Sequence, residues 1–106
     1  PKYIDAVKLE QNLVNYMEQK NLQKAPIYCD FLTKNALQDQ NAGYLAVNKE
    51  FSDVTDRYED KNIQYIIQTN FEIDPNEDTL KRELTGFTLV KDFNYGLANG
   101  RLYKRK

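Results

Sequence analysis

The chain has no histidine, a single cysteine, four glycines and three prolines among its 106 residues. Without histidine, the usual general base, the usual proton shuttle and the commonest zinc ligand are all missing. Hydrolase mechanisms built on such a base lose their standard parts, and a Cys-His nucleophile pair is excluded. One cysteine forbids an intrachain disulfide and leaves structural zinc short of ligands within one chain. Cys29 is therefore expected to fill space as a small hydrophobe. Gly43, Gly86, Gly96 and Gly100 are too dispersed for a dinucleotide fingerprint or a P-loop, so they read as two helix stops and two hairpin positions. No run approaches the ~18 apolar residues of a membrane span, and the first residues lack the basic-then-apolar order of a secretory leader. The expectation is a cytoplasmic protein with no membrane partner, no metal and no cofactor.

What is present suits one globular core. Apolar residues make up 41% of the chain and charged residues 29%, with eight Tyr and five Phe, which is too aromatic for a disordered tail. A chain this long is expected to form one domain over residues 1–106. Much of its polarity comes from Asn and Gln. The net charge of −1 is unevenly spread: residues 1–49 carry +1, residues 50–84 carry −6 and residues 85–106 carry +4.

Three helices are expected first. Asp5 reads as an N-cap, with Ile4 and Leu9 placed for a hydrophobic staple, and Ala6, Leu9, Leu13, Tyr16 and Met17 recur at helical steps to about Lys20. A second helix over about 26–38 is expected from Pro26 in its first turn and from Ile27, Tyr28, Phe31, Leu32 and Ala36 on one side. A third follows from the stripe Tyr44, Val47, Phe51, Val54 and Tyr58, with an extended start at Tyr44 to Val47 as the alternative.

The period then changes from 3.6 to 2. Ile63, Tyr65, Ile67, Thr69, Phe71 and Ile73 share one face of a strand over about 62–73, with Ile66 as the single apolar residue opposite. The high β-propensity and lack of charge of its residues Ile63 to Thr69 require a central place in a sheet, or pairing across a homodimer. Asp74-Pro75-Asn76-Glu77 is a capping-box pattern that opens a short helix over about 75–85. Phe87, Leu89, Phe93 and Tyr95 alternate inward along the next strand. Asn99-Gly100 supplies the tight turn of a C-terminal hairpin over about 87–105, setting Leu97 opposite Leu102. The expected fold is α+β, with about three N-terminal helices packed on a small antiparallel sheet.

Asp74, Asn76 and Asp78 have the spacing of a calcium loop's opening, but Thr79 stands where that loop needs Gly and Thr85 where it needs a bidentate Glu. Capping explains Asp74 and Glu77 instead. With catalytic parts missing, the expectation is a small non-catalytic protein-interaction module. An accessory, inhibitory or regulatory protein of a phage or mobile element fits that description. Asp53, Asp56, Glu59 and Asp60 form the candidate protein-binding face, because an acidic surface steers and selects a basic partner without chemistry. The alternative is nucleic-acid binding through the basic hairpin, with Lys91, Arg101, Lys104, Arg105 and Lys106 on phosphates and Tyr103 stacking on a base. The net charge of −1 weighs against it.

Overall fold

The computed structural model describes residues 2–22, 25–29, 32–35, 48–49, 63–71 and 84–106. They form an α+β fold of one long helix and a mixed sheet. Helix α1 spans Lys2–Gln19. The strands are β1 (Ile27–Tyr28), β2 (Asn48–Lys49), β3 (Tyr65–Thr69), β4 (Phe87–Tyr95) and β5 (Ala98–Arg105), in the spatial order β2-β1-β3-β5-β4. β1 runs parallel to β2 and β3, whereas β5 is antiparallel to both β3 and β4.

α1 forms because its apolar residues fall on one face. Leu9, Leu13, Val14 and Met17 are buried against Ile27, Ile67, Phe93, Ala98 and Leu102 of the sheet. Its end is a Schellman motif: Asn21 takes a φ of 57°, its N–H donates to Glu18 O at 3.1 Å, and the Leu22 N–H donates to Met17 O at 2.8 Å. Leu22 then packs against the same core as Met17. Asp5 lies inside the first turn, because the helix already begins at Lys2. The expected N-cap and staple are thereby corrected, and Ile4 is exposed.

The middle of the sheet is buried on both faces. Tyr65, Ile67 and Thr69 of β3 face α1, while Ile66 joins Tyr28, Ile63, Phe87 and Tyr103 in a second cluster. That arrangement explains why Ile66 interrupts an otherwise alternating strand: β3 is the middle strand and needs an apolar residue on each side.

Further expectations are corrected, and others fall outside the described residues. The second helix, expected over 26–38, begins instead as strand β1, and helical conformation is confined among the described residues there to 32–35. Pro26 O accepts from the Gln64 and Tyr65 N–H groups at 3.0 and 3.2 Å, which draws Ile27 and Tyr28 into the sheet. A short apolar run cannot by its period distinguish buried strand from helix. The sheet is mixed rather than antiparallel, because β1 joins it by parallel pairing. The third helix and most of the short helix over 75–85 lie outside the described residues, except that Asn48–Lys49 is strand β2 and Leu84–Gly86 is a single 3-10 turn.

The hairpin also turns elsewhere. Tyr95 pairs with Ala98, Asn94 with Asn99 and Phe93 with Gly100, so Gly96-Leu97 forms the tip rather than Asn99-Gly100. Gly96 has a φ of 58° and Leu97 does not take a positive value, which is the pattern of a type II′ turn. This register places Ala98, Gly100 and Leu102 under α1, where Leu9 comes so close that a Cβ on Gly100 would lie 3.2 Å from its Cδ2. Leu97 is left outside, 63% exposed. A bulge between Leu89 and Lys91 then reverses the pleat of β4. Phe93 and Tyr95 face α1, but Phe87 joins the opposite cluster and Leu89 is largely exposed, so the four do not share an inward face.

Candidate functional site

The sheet's two faces separate the basic residues of the hairpin. Arg101, Tyr103 and Arg105 alternate onto the face opposite α1, whereas Lys104 falls on the α1 side, as does Lys91, which pairs with Leu102. Three of these groups also have structural partners. Arg101 Nε donates to Asp92 Oδ1 at 3.1 Å in an exposed pair. Hydrogen bonding and charge interaction with Tyr103, followed by the charge of Asp92, hold the Arg101 guanidinium above its ordinary value. It is therefore charged at every pH where the fold is of interest. Tyr103 is buried beside Ile66. Arg105 Nε donates to Ile63 O at 2.8 Å, and its guanidinium carbon sits 4.7 Å from the Phe87 ring centroid. The Lys106 N–H donates to Gly86 O at 3.0 Å, which ties down the backbone there.

Asp53, Asp56, Glu59 and Asp60 lie outside the described residues. Among the described residues, no three His, Cys, Asp or Glu side chains are gathered as a metal ion requires, and Cys29 is buried within the α1 core and outside any disulfide. No helix among them is long and apolar enough to cross a membrane.

The described surface does hold one groove, of about 280 Å³, between α1 and β4. The helix contributes Asn12, Asn15, Tyr16 and Gln19, and the strand contributes Lys91, Phe93 and Tyr95. Helical spacing aligns the first set, since positions 12, 15, 16 and 19 lie along one side of the cylinder. Strand alternation aligns the second, and the bulge beyond Lys91 turns Leu89 to the opposite face. Tyr16 meets Phe93 edge to face, with ring centroids 5.8 Å apart and planes at 82°. Lys91 Nζ lies 5.4 Å from the Tyr16 centroid and 5.8 Å from that of Phe93, while Lys20 Nζ lies 5.8 Å from Tyr16. The groove thus has an aromatic floor, amide walls and a positive rim. It has the parts for recognition and no activated nucleophile.

Beside the groove, β4 is the last strand in the sheet order. Thr88 through Asp92 are all exposed, including the large apolar side chains of Leu89 and Val90. Sequence reasoning missed this surface except for Lys91. Its signal was the amide spacing 12, 15, 19 flanking Tyr16, which reads equally as an ordinary solvated helix face until β4 is placed beside it. Compared with protein-family models, curated proteins and solved structures, the chain matches none of them.

Proposed function

We propose that the chain is a small non-catalytic protein-interaction module that works through the open side of its sheet. The observation that carries this reading is the β4 edge, where Leu89 and Val90 stand side by side, 46% and 40% exposed, on a strand with one paired neighbour among the described strands. Exposed apolar side chains on an open strand edge mark a surface that gains by being covered. The bulge and the exposed Lys91 oppose indiscriminate pairing, as edge devices do, so the surface favours a selected partner over self-aggregation.

The test is affinity capture from native host extract with the intact chain and with a Leu89→Lys, Val90→Lys double variant. A partner retained by the first and lost by the second, with thermal melting unchanged, is the expected result. Equal capture by both removes the β4 edge from the reading. Charge reversal at Asp53, Asp56 and Glu59 runs in parallel. Loss of capture there assigns the contact to the acidic stretch.

A further inference from the structure

The groove and the strand edge beside it are two halves of one recognition surface. In an antiparallel pair, hydrogen-bonded and non-hydrogen-bonded residue pairs alternate. The Asn99 N–H donates to Asn70 Oδ1 at 3.0 Å, and Asn99 O accepts from the Asn70 N–H at 3.1 Å, so both backbone groups of Asn99 point away from β4. Asn94, which pairs with Asn99, therefore turns its own N–H and C=O to the edge that no described strand occupies, and Asp92, paired with Arg101, does the same two residues on. From Lys91 to Tyr95 the strand is regular, bounded by the bulge at one end and the Gly96 turn at the other.

We infer that the α1–β4 groove binds an extended, carboxylate-bearing peptide segment as an added strand on β4. The inference rests on the reading of the chain as a protein-interaction module and names the partner's chemistry. Backbone groups of Asp92 and Asn94 supply main-chain hydrogen bonds to such a strand, and its alternate side chains enter the groove. There they meet the amides of Asn12, Asn15 and Gln19, the rings of Tyr16 and Tyr95, and the ammonium of Lys91. None of the lining residues is acidic, and Lys20 adds a second positive charge over Tyr16. The acid next in sequence, Asp92, alternates onto the other face, where it pairs with Arg101. Charge complementarity thus selects carboxylates. A nucleic-acid strand is the poorer occupant: it has no complement to outward peptide groups, and two lysines on a chain of net charge −1 make a small electrostatic footprint.

Phage-displayed random octapeptides selected on the intact chain supply the test. The expected winners carry Asp or Glu at alternating positions. A synthetic winner added to ¹⁵N-labelled protein should shift the amide signals of Asp92 and Asn94, and Lys91→Glu should weaken its binding at least tenfold. Lys104→Glu, on the neighbouring strand β5 and outside the groove lining, should leave it within twofold. Oligothymidylate of equal charge is the nucleic-acid arm. Its binding with the same amide shifts would overturn the peptide assignment. Failure to enrich acidic peptides, unmoved Asp92 and Asn94 amides, or full affinity in Lys91→Glu would also overturn it. If a host partner is still captured and lost with Leu89→Lys, Val90→Lys, the interaction-module reading survives without the groove; if capture does not depend on that edge, the β4 edge leaves that reading together with the groove.

Discussion

Asp5 Oδ2 accepts a hydrogen bond from the backbone N–H of Leu97 at 2.9 Å, joining the first turn of α1 to the tip of the hairpin across 92 residues. Asn70 holds the same tip from the other side. Its Nδ2 donates to Leu97 O at 2.8 Å and its Oδ1 accepts from the Asn99 N–H. A two-residue turn that exposes its own side chain is thereby fixed through both backbone groups of Leu97. The groove inherits that rigidity, because Tyr95 lies directly before the turn.

Asp5→Ala and Asn70→Ala should each lower stability by about 1 kcal/mol, the usual net value of a hydrogen bond at a partly solvated site. Because both side chains grip Leu97, the double variant should depart from additivity by about 0.5 kcal/mol or more. Urea unfolding of the four proteins in the cycle measures this. Strict additivity would mean that the two contacts hold the turn independently.

Gly96→Ala and Gly100→Ala locate the turn. At Gly96 a Cβ would sit within 3 Å of the Asp5 carboxylate on a backbone with φ of 58°, and the expected loss is about 1–3 kcal/mol. At Gly100 the nearest atom is Leu9 Cδ2 at 3.2 Å, on an ordinary strand backbone. Relief of glycine's backbone entropy offsets part of that crowding, so the change should stay within about 1 kcal/mol. Denaturation midpoints in the reverse order would place the turn at Asn99-Gly100 after all.

Arg105→Lys should lower stability by about 1 kcal/mol, although it keeps the charge. Lysine reproduces neither the Nε bond to Ile63 O nor the planar stacking on Phe87. Lys104→Ala, at an exposed position, should stay within about 0.5 kcal/mol. Equal melting temperatures for native and Arg105→Lys protein would show that the guanidinium has no structural part.

Thr33 is fully buried, and its Oγ1 has no hydrogen-bond partner among the described residues. A buried hydroxyl without a partner costs about 1–3 kcal/mol, so Thr33→Val should raise stability by about 1 kcal/mol. Calorimetric melting is sufficient to see it. A lowered Tm would reveal that the hydroxyl is satisfied in solution.

Local pattern was enough for several elements. The four-residue recurrence of Leu9, Leu13 and Met17 determined α1, and alternation broken only by Ile66 determined β3, including its need for cover on both sides. Both depend on side-chain periodicity, which is a property of sequence alone. The α+β class followed from the change of period near residue 62.

Tertiary structure decided what periodicity leaves degenerate. Ile27-Tyr28 fits a helix or a strand by spacing, and pairing with β3 made it a strand. Gly96-Leu97 and Asn99-Gly100 both permit a tight turn, and the choice fell to the register that buries Ala98, Gly100 and Leu102 under α1. Because a strand's side chains alternate, that register and the bulge before Lys91 together determine which face every hairpin residue occupies. The register divides the basic residues that adjoin in sequence and brings Lys91 beside Tyr16, which lies 75 positions away, while the bulge turns Leu89 and Phe87 to the other face. Spacing determined α1 and β3; the pleat, set by packing, decided which charges meet.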